Sequence, residues 1–516
     1  MPPVPSILQK IQRLPQDHQT FTGLVMLPYF VLILVGTLNH AMWRDEIGTW
    51  LVSRDSPSLP EFFANVQYGG HPALWYLCLR LLSYLTPNPI AMQLFHGAIV
   101  TGMTYLFVRY SPFPRWQTLL FCAGYFPLYE YAVISRNYSL ELLFLFGFCT
   151  LFPQRTRTYL PLSILLALMA NTHVYGLLIG FALGITLIVE GISQHQRSRL
   201  KNRIGDVLGS LGIFGGGLAL SVLQLQASAS THVVAPSWLF QWDVAQLTKV
   251  LTRIWNAYIM VLVPKDQVLW ETSLFALLAL VLVAFTVGLL IRQPIALLFY
   301  LFSTTILLSF MYVKYIGTIR HYGHLYVVWI TALWLAAQIP DSEAILQFFQ
   351  RLSDRLFQCL QTWISFTQRH RNRFLALILT VQLIAGAIAF IRDLTLPYSA
   401  GRETAQFIQQ QNLDQMFIVG SNDFAVTTVS GYLNRPIYYP EQQKLGTFSP
   451  DRPVPLPAPE VLRQVSEQVR QRGKILLILN YPLSDSRSDL QITPIAQFTR
   501  SLIGSEQFYL YFAEAR

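Results

Sequence analysis

Residues 40–55 read "HAMWRDEIGTWLVSRD" and follow directly on the first long apolar run of the chain. Arg44, Asp45 and Glu46 therefore stand where a helix leaves an apolar environment. A carboxylate at such a boundary can be hydrated and simply cap the helix that follows, here one running from Glu46 toward Val52. It can also accept a proton from a substrate held against it. Four more segments carry polar residues at the ends of apolar runs: His71 in "GGHPALWYL"; Glu130, Arg136, Asn137 and Tyr138 in "YEYAVISRNYSLELL"; Asn171, Thr172, His173 and Tyr175 in "ANTHVYG"; and Lys314, Arg320, His321 and His324 in "VKYIGTIRHYGHLYV". Each one alone has a structural explanation. Arg136 can snorkel, His173 can be a satisfied interior histidine, and Glu130 can pair with Arg136. Five segments bringing such groups to one face point instead to a shared cavity. A carboxylate among cations at a lipid surface suits transfer from a phosphate-bearing lipid. The carboxylate removes a proton from the acceptor, and the cations stabilise the departing phosphate, for which the planar fork of arginine is well shaped.

The elements that must position these groups are membrane helices. The chain has 516 residues, of which 53% are hydrophobic and only 12% charged, and its mean hydropathy is +0.40. Soluble domains carry about 25% charged residues. Apolar runs near the 20 residues needed to span a bilayer recur over the first three quarters, and runs of that length satisfy their backbone in lipid only as helices. The first run, residues 21–43, follows Lys10 and Arg13 and ends in "LNHAMW", which lacks a small-x-small cleavage pattern, so it reads as an uncleaved anchor. The net charge of +10 comes from basic residues in loops between spans. The positive-inside rule accounts for them, and no nucleic-acid partner is expected. No Gly-rich nucleotide loop, nucleophile elbow or C-x-x-C is present, and none of the four cysteines lies in the polar tail.

The same rule decides the topology. Residues 71–86, "HPALWYLCLRLLSYLT", are apolar but short, reaching only about 22 Å from Pro72 to Thr86 as a helix, and Arg80 interrupts them. Counting them as a span would put "HQRSRLKNR" (195–203) and "RHRNR" (369–373) opposite Lys10 and Arg13. Counting them as an interfacial helix puts every basic loop in the cytoplasm. The expected spans are then 21–43, 90–108, 116–134, 138–153, 158–174, 175–192, 206–226, 272–291, 294–313, 323–339 and 374–392, with the N-terminus inside. Residues 42–89 and 227–271 form outer loops, and 341–371 an amphipathic cytoplasmic connector. The fold class is thus an α-helical polytopic membrane protein of about eleven spans over residues 1–392, with a small extracytoplasmic α/β domain at 393–516. In that domain "GRETAQFIQQQNLDQMFIVGSND" combines a helical period with a strand, "GKILLILN" reads as a buried strand, and 449–458 is a proline-rich loop.

"RDEIGTW", "GGHPALWYL", "YEYAVISRNYSLELLFLF" and "NTHVYGLLI", in this order and spacing, resemble the polyprenyl-phosphate-dependent glycosyltransferases of the GT-C fold, nearest the family 39 and ArnT-like group related to protein O-mannosyltransferases. The resemblance covers residues 20–190 well and the later spans loosely. It implies juxtamembrane helices in the first outer loop, a polyprenyl-phosphate sugar donor, inverting transfer of a hexosyl or pentosyl unit, and an acidic catalytic base in that loop, which maps onto Asp45 with Glu46 beside it. The acceptor it implies is a lipid, glycan or protein at the outer face of a membrane, here a bacterial inner (plasma) membrane. Substrate-binding candidates are His71, Glu130, Arg136, Tyr138, His173, Lys314, Arg320 and His321. No metal-ligand set is assigned, and a divalent metal is left open as cofactor. The alternative is a transporter or flippase, or a non-catalytic envelope polysaccharide assembly protein. A transporter places its polar groups near mid-membrane on broken helices in related halves; here they sit at helix ends, with no repeated half.

Overall fold

The computed structural model describes residues 17–192, 203–226, 238–260, 269–449 and 455–516. Lys10, Arg13, nearly all of 195–203, parts of the second outer loop and residues 450–454 of the proline-rich stretch lie outside the described residues. Each of the eleven expected spans contains helix. Seven of the helices are long and apolar enough to cross a membrane: His18–Asn39, Ile90–Tyr110, Val174–Ile192, Ile204–Leu225, Leu269–Leu290, Pro294–Val313 and Asp354–Thr395. The chain is an integral membrane protein; the fuller count of eleven rests on four elements that depart from a simple span.

Each departure has a physical cause. The expected span 116–134 is helical only over Arg115–Cys122, then forms a wide π-type turn over Phe126–Glu130. Pro127 lacks an N–H and its ring crowds the preceding turn, which stops a regular helix here. Residues 131–137 continue as buried irregular backbone, an arrangement that membrane depth permits only where protein or a cavity surrounds it. Tyr138–Leu151 and Leu160–Ala170 are short helices. Ile319–Ala336 is buried on every side from Tyr322 to Leu335, with Tyr326, Trp329 and Trp334 among the largest enclosed side chains. The connector at 341–371 is less separate than its amphipathic pattern suggests. After Ala344–Leu352, one 42-residue helix, Asp354–Thr395, runs from the connector through the last span. No proline interrupts it, and Gly386 lets it lie directly against the backbone at Ala123–Tyr125. Within 227–271 lies an amphipathic helix, Val244–Tyr258, started by the Asp243 side chain, which accepts from the Ala245 and Gln246 N–H groups.

Residues 42–89 fold into three short helices, Arg44–Asp55, Leu59–Tyr68 and Leu74–Ser83. The first and third pack on each other through Ile47, Trp50, Leu51, Trp75 and Leu79, all buried. The region after residue 395 is α/β. Strands β1 (Ile418–Ser421), β2 (Ile437–Tyr439), β3 (Lys444–Gly446), β4 (Ile475–Leu479), β5 (Leu490–Phe498) and β6 (Phe508–Ala515) form one sheet in the order β3-β2-β1-β4-β6-β5. The central β2, β1 and β4 are parallel and the outer pairings antiparallel. Both faces are covered, which is why β4 reads as a continuous apolar run. Leu476 and Ile478 pack toward Ala405, Val426 and Val429, while Ile475, Leu477 and Leu479 pack toward Val461, Val465 and Val469.

This region sits on the helices of residues 42–89 through close contacts. Gly431, on helix Asp423–Leu433, leaves room for Ile47; a Cβ there would lie 2.3 Å from Ile47 Cγ2. Thr447 Oγ1 donates to Asp55 Oδ2 at 2.6 Å, and Arg54 donates to Asn434 Oδ1 at 2.6 Å. Arg402 reaches the carbonyls of Asn39 and His40, closing the end of the first helix.

Candidate active site

Three consecutive residues at the start of helix Arg44–Asp55 take three directions, as a turn of about 100° per residue requires. Arg44 faces the C-terminal domain. Its backbone N–H donates to Glu506 Oε1 at 3.1 Å, its guanidinium to Ser505 Oγ at 3.1 Å, and it lies 4.6 Å over the Phe424 ring. Asp45 faces a cavity of about 520 Å³, with Oδ2 at 3.3 Å from an Arg320 nitrogen and 22% of its side chain exposed. Glu46 is fully buried. It accepts from the Ser135 N–H at 2.6 Å, His40 Nε2 at 2.9 Å and the Trp43 N–H at 3.2 Å. Burial opposes its ionisation, but the charge of His40 and these hydrogen bonds outweigh that cost and hold the carboxyl below its ordinary range.

Two expectations are corrected by this geometry. Asp45 is not a helix cap: the helix begins at Arg44, Trp43 occupies the cap position, and Glu46 reaches back to the Trp43 N–H. Glu46 does not stand beside Asp45 in the cavity. His40 bridges it to Asp393, Nδ1 lying 2.6 Å from Asp393 Oδ2, so Glu46 ties helix Arg44–Asp55 to helices His18–Asn39 and Asp354–Thr395.

Eight of the ten candidates line the same cavity: Asp45, His71, Arg136, Tyr138, His173, Lys314, Arg320 and His321. Arg136 comes from the irregular segment 131–137. Its fork donates to the Asp45 carbonyl and to Thr49 Oγ1 (3.0 Å), and its other terminal nitrogen lies 3.3 Å from His71 Nε2. It therefore braces the turn that carries Asp45, and it pairs with backbone and hydroxyl here rather than with Glu130. His321 Nδ1 accepts from the Thr318 N–H at 2.9 Å. In a neutral ring the proton is then on Nε2, which lies 3.3 Å from the Tyr138 hydroxyl. Lys314 lies 4.8 Å over the Trp238 ring and Arg320 4.6 Å over Trp43; each cation is thus held on an aromatic face.

Glu130 lies elsewhere. It accepts from Tyr125 at 2.6 Å and lines a second cavity of about 530 Å³ with Met260, Ala385, Ile388, Arg392 and Tyr398. Arg320 lines both cavities.

Several lining residues were absent from the expected set. Phe424, Thr427, Phe448 and Ser449 of the C-terminal domain close the first cavity, and nothing local in those segments signals it. Glu141 was findable: it is a lone acid inside the apolar run "YSLELLFLF", where an ionisable group marks a function or a buried partner. Its partners are His173 and His324, with both Nε2 atoms 2.8 Å from Glu141 Oε2. These three are the group among the described residues with donor atoms close enough to hold a metal ion, all within 4.8 Å of one another.

No family model matches the chain, and no curated protein matches it. Among solved structures it is similar to one described as the crystal structure of ArnT from Cupriavidus metallidurans in the apo state, with 12% identity over 95% of this chain and 98% of that one. The TM-score of that superposition is 0.46, a likeness too loose to bear on the chemistry of the site.

Proposed function

We propose that the chain is a membrane glycosyltransferase that moves a sugar from a polyprenyl-phosphate carrier to a lipid, glycan or protein acceptor, with inversion and with Asp45 as general base. The observation that carries this reading is the Asp45–Arg320 pair, whose arginine lines both cavities. Asp45 takes the proton of an acceptor hydroxyl. The acceptor oxygen attacks the anomeric carbon from the side opposite the phosphate, the bond from that carbon to the phosphate oxygen breaks, and its electron pair leaves with the phosphate. Arg320 receives the growing phosphate charge, with Lys314 and His321 near it on the same wall. The second cavity, apolar at Met260, Ala385, Ile388 and Ala389 and cationic at Arg320 and Arg392, suits a prenyl chain that ends in a phosphate. Arg136, with His71, holds the Asp45 turn in place, and Glu46 fixes that turn from behind. In this reading the resemblance to the family 39 and ArnT-like enzymes extends to the reaction, the outer C-terminal domain and a bacterial inner-membrane location.

The test is transfer by the purified full-length protein from a panel of radiolabelled polyprenyl-phosphate sugars to a membrane lipid extract, run beside Asp45→Asn. Label should move into an acceptor with wild type and about 10²–10⁴-fold more slowly with the variant. Movement of intact labelled carrier across a vesicle membrane, with no transfer, would establish a flippase instead.

A further inference from the structure

We propose that Glu141, His173 and His324 form a binding site for one divalent transition-metal ion of the zinc class, placed under the wall of the first cavity. The three residues come from separate elements: Glu141 from helix Tyr138–Leu151, His173 from the turn before Val174–Ile192, and His324 from Ile319–Ala336. All three are buried. Both imidazole Nε2 atoms approach the same carboxylate oxygen, Oε2, at 2.8 Å. The other oxygen, Oε1, has no hydrogen-bond partner among the described residues. A carboxylate that is only receiving hydrogen bonds would share two donors between its two oxygens, since a buried unpaired acceptor costs about 1–3 kcal/mol.

The proton positions sharpen the point. His324 Nδ1 lies 2.8 Å from the His321 carbonyl oxygen. A carbonyl only accepts, so Nδ1 carries the proton, and in a neutral ring the Nε2 lone pair is aimed at Glu141. Two lone pairs 2.8 Å apart need a cation between them. Donation from the far ring nitrogen to a backbone carbonyl is also the arrangement that orients a metal-bound histidine. His173 brings its Nε2 to the same oxygen, 2.8 Å from Oε2, so two imidazole nitrogens converge on one carboxylate atom.

Two imidazoles and one carboxylate suit zinc and its neighbours rather than magnesium or calcium. Three protein ligands leave one coordination position open. Ligands about 2.1 Å from a tetrahedral ion lie about 3.4 Å apart, so loading spreads each of the two 2.8 Å nitrogen–oxygen pairs by about 0.6 Å. It also moves the His173 proton to Nδ1 and gives up the long 3.3 Å bond from the Gly176 N–H. Tyr175 stacked 4.8 Å from His324, and Tyr138 edge-on 4.8 Å from His173, exclude water from the ligands.

The experiment titrates the full-length protein, chelator-stripped in detergent, with Co²⁺ as a coloured probe. Wild type should take up one ion per chain with visible d–d absorption, lose the absorption on addition of Zn²⁺, and melt higher with Zn²⁺ than without. Glu141→Gln and His324→Gln should lose both the absorption and the Zn²⁺-dependent rise in melting. X-ray absorption of the cobalt-loaded wild type needs no variant, and should report two imidazole nitrogens. Absence of the band in wild type, a band that survives both substitutions, or a coordination shell without imidazole would each overturn the site and leave a shared proton as the bridging cation. These readouts do not use glycosyl transfer, so the site stands or falls separately from that reading.

Discussion

Asp45 and Glu46 are neighbours of the same charge, and conservative amides at the two positions should do opposite things. Asp45 makes one ion pair at 3.3 Å and is partly open to the cavity. Such a pair is worth about 0–1 kcal/mol, so Asp45→Asn should melt within that margin of wild type. If Asp45 is the base, transfer should fall by about 10²–10⁴-fold. Glu46 has both oxygens occupied, one by the Ser135 N–H and the other by His40 and the Trp43 N–H. Gln can offer an acceptor on one side only. Its NH₂ then meets either Ser135 or His40, donor against donor, and His40 keeps Asp393 as its single carboxylate partner. Breaking one member out of a buried ionic network costs about 3–5 kcal/mol. Glu46→Gln should therefore lose most of that stability while the folded fraction retains turnover within roughly tenfold, since no substrate proton reaches Glu46. Thermal or denaturant unfolding of both purified variants, with initial transfer rates normalised to folded protein, separates the two effects. An Asp45→Asn protein with a wild-type rate would refute the assignment of the base. A Glu46→Gln protein as stable as wild type would refute the account of the buried network.

Arg136→Lys keeps the charge but cannot reach the Asp45 carbonyl, Thr49 and His71 together; with charged-group hydrogen bonds worth about 1.5–3 kcal/mol each, kcat should fall tenfold or more, and an unchanged kcat would remove the bracing role. Burial lifts Glu506 from an ordinary 4.5 to about 7 against the opposing effects of Ser399 and Arg44, with Asp45 adding to the rise. A carboxyl with a raised folded-state pKa stabilises fully below the unfolded value and loses that stability as pH climbs through the folded one, so melting should decline between about pH 4.5 and 7. The loss is about 3 kcal/mol at most. Glu441, also raised to about 7 by burial, acts in the same direction, and Glu506→Gln should flatten part of the slope; an unaltered slope would contradict the assignment. Gly431→Leu should force helix Asp423–Leu433 away from Ile47, costing about 1–3 kcal/mol and exposing the 396–400 junction to protease; unchanged proteolysis would show that the two surfaces are not held as described.

The membrane class, the position of each apolar segment and the two-part organisation were legible in the sequence because they depend on local quantities: run length, charge at run ends, and the composition change after Arg392. The parallel strand "KILLIL" was readable for the same reason, since a strand covered on both faces is apolar throughout. Most of the candidate site was legible too, because an ionisable residue at the end of an apolar run stands out whatever its partners. What the sequence could not decide was direction. "RDE" shows three charged residues in a row, and only the packed helix sends Arg44 to the C-terminal domain, Asp45 to the cavity and Glu46 into the core. Pairing was equally out of reach. Glu130 and Arg136 are six residues apart and face different cavities, whereas Asp45 and Arg320 are 275 residues apart and meet at 3.3 Å. Glu141 gathers His173 and His324 from two other segments, and Phe424 and Phe448 close the cavity from a domain almost 400 residues from Asp45. Such contacts arise when helices and sheet bury their faces against one another, and a linear pattern carries no record of which faces meet.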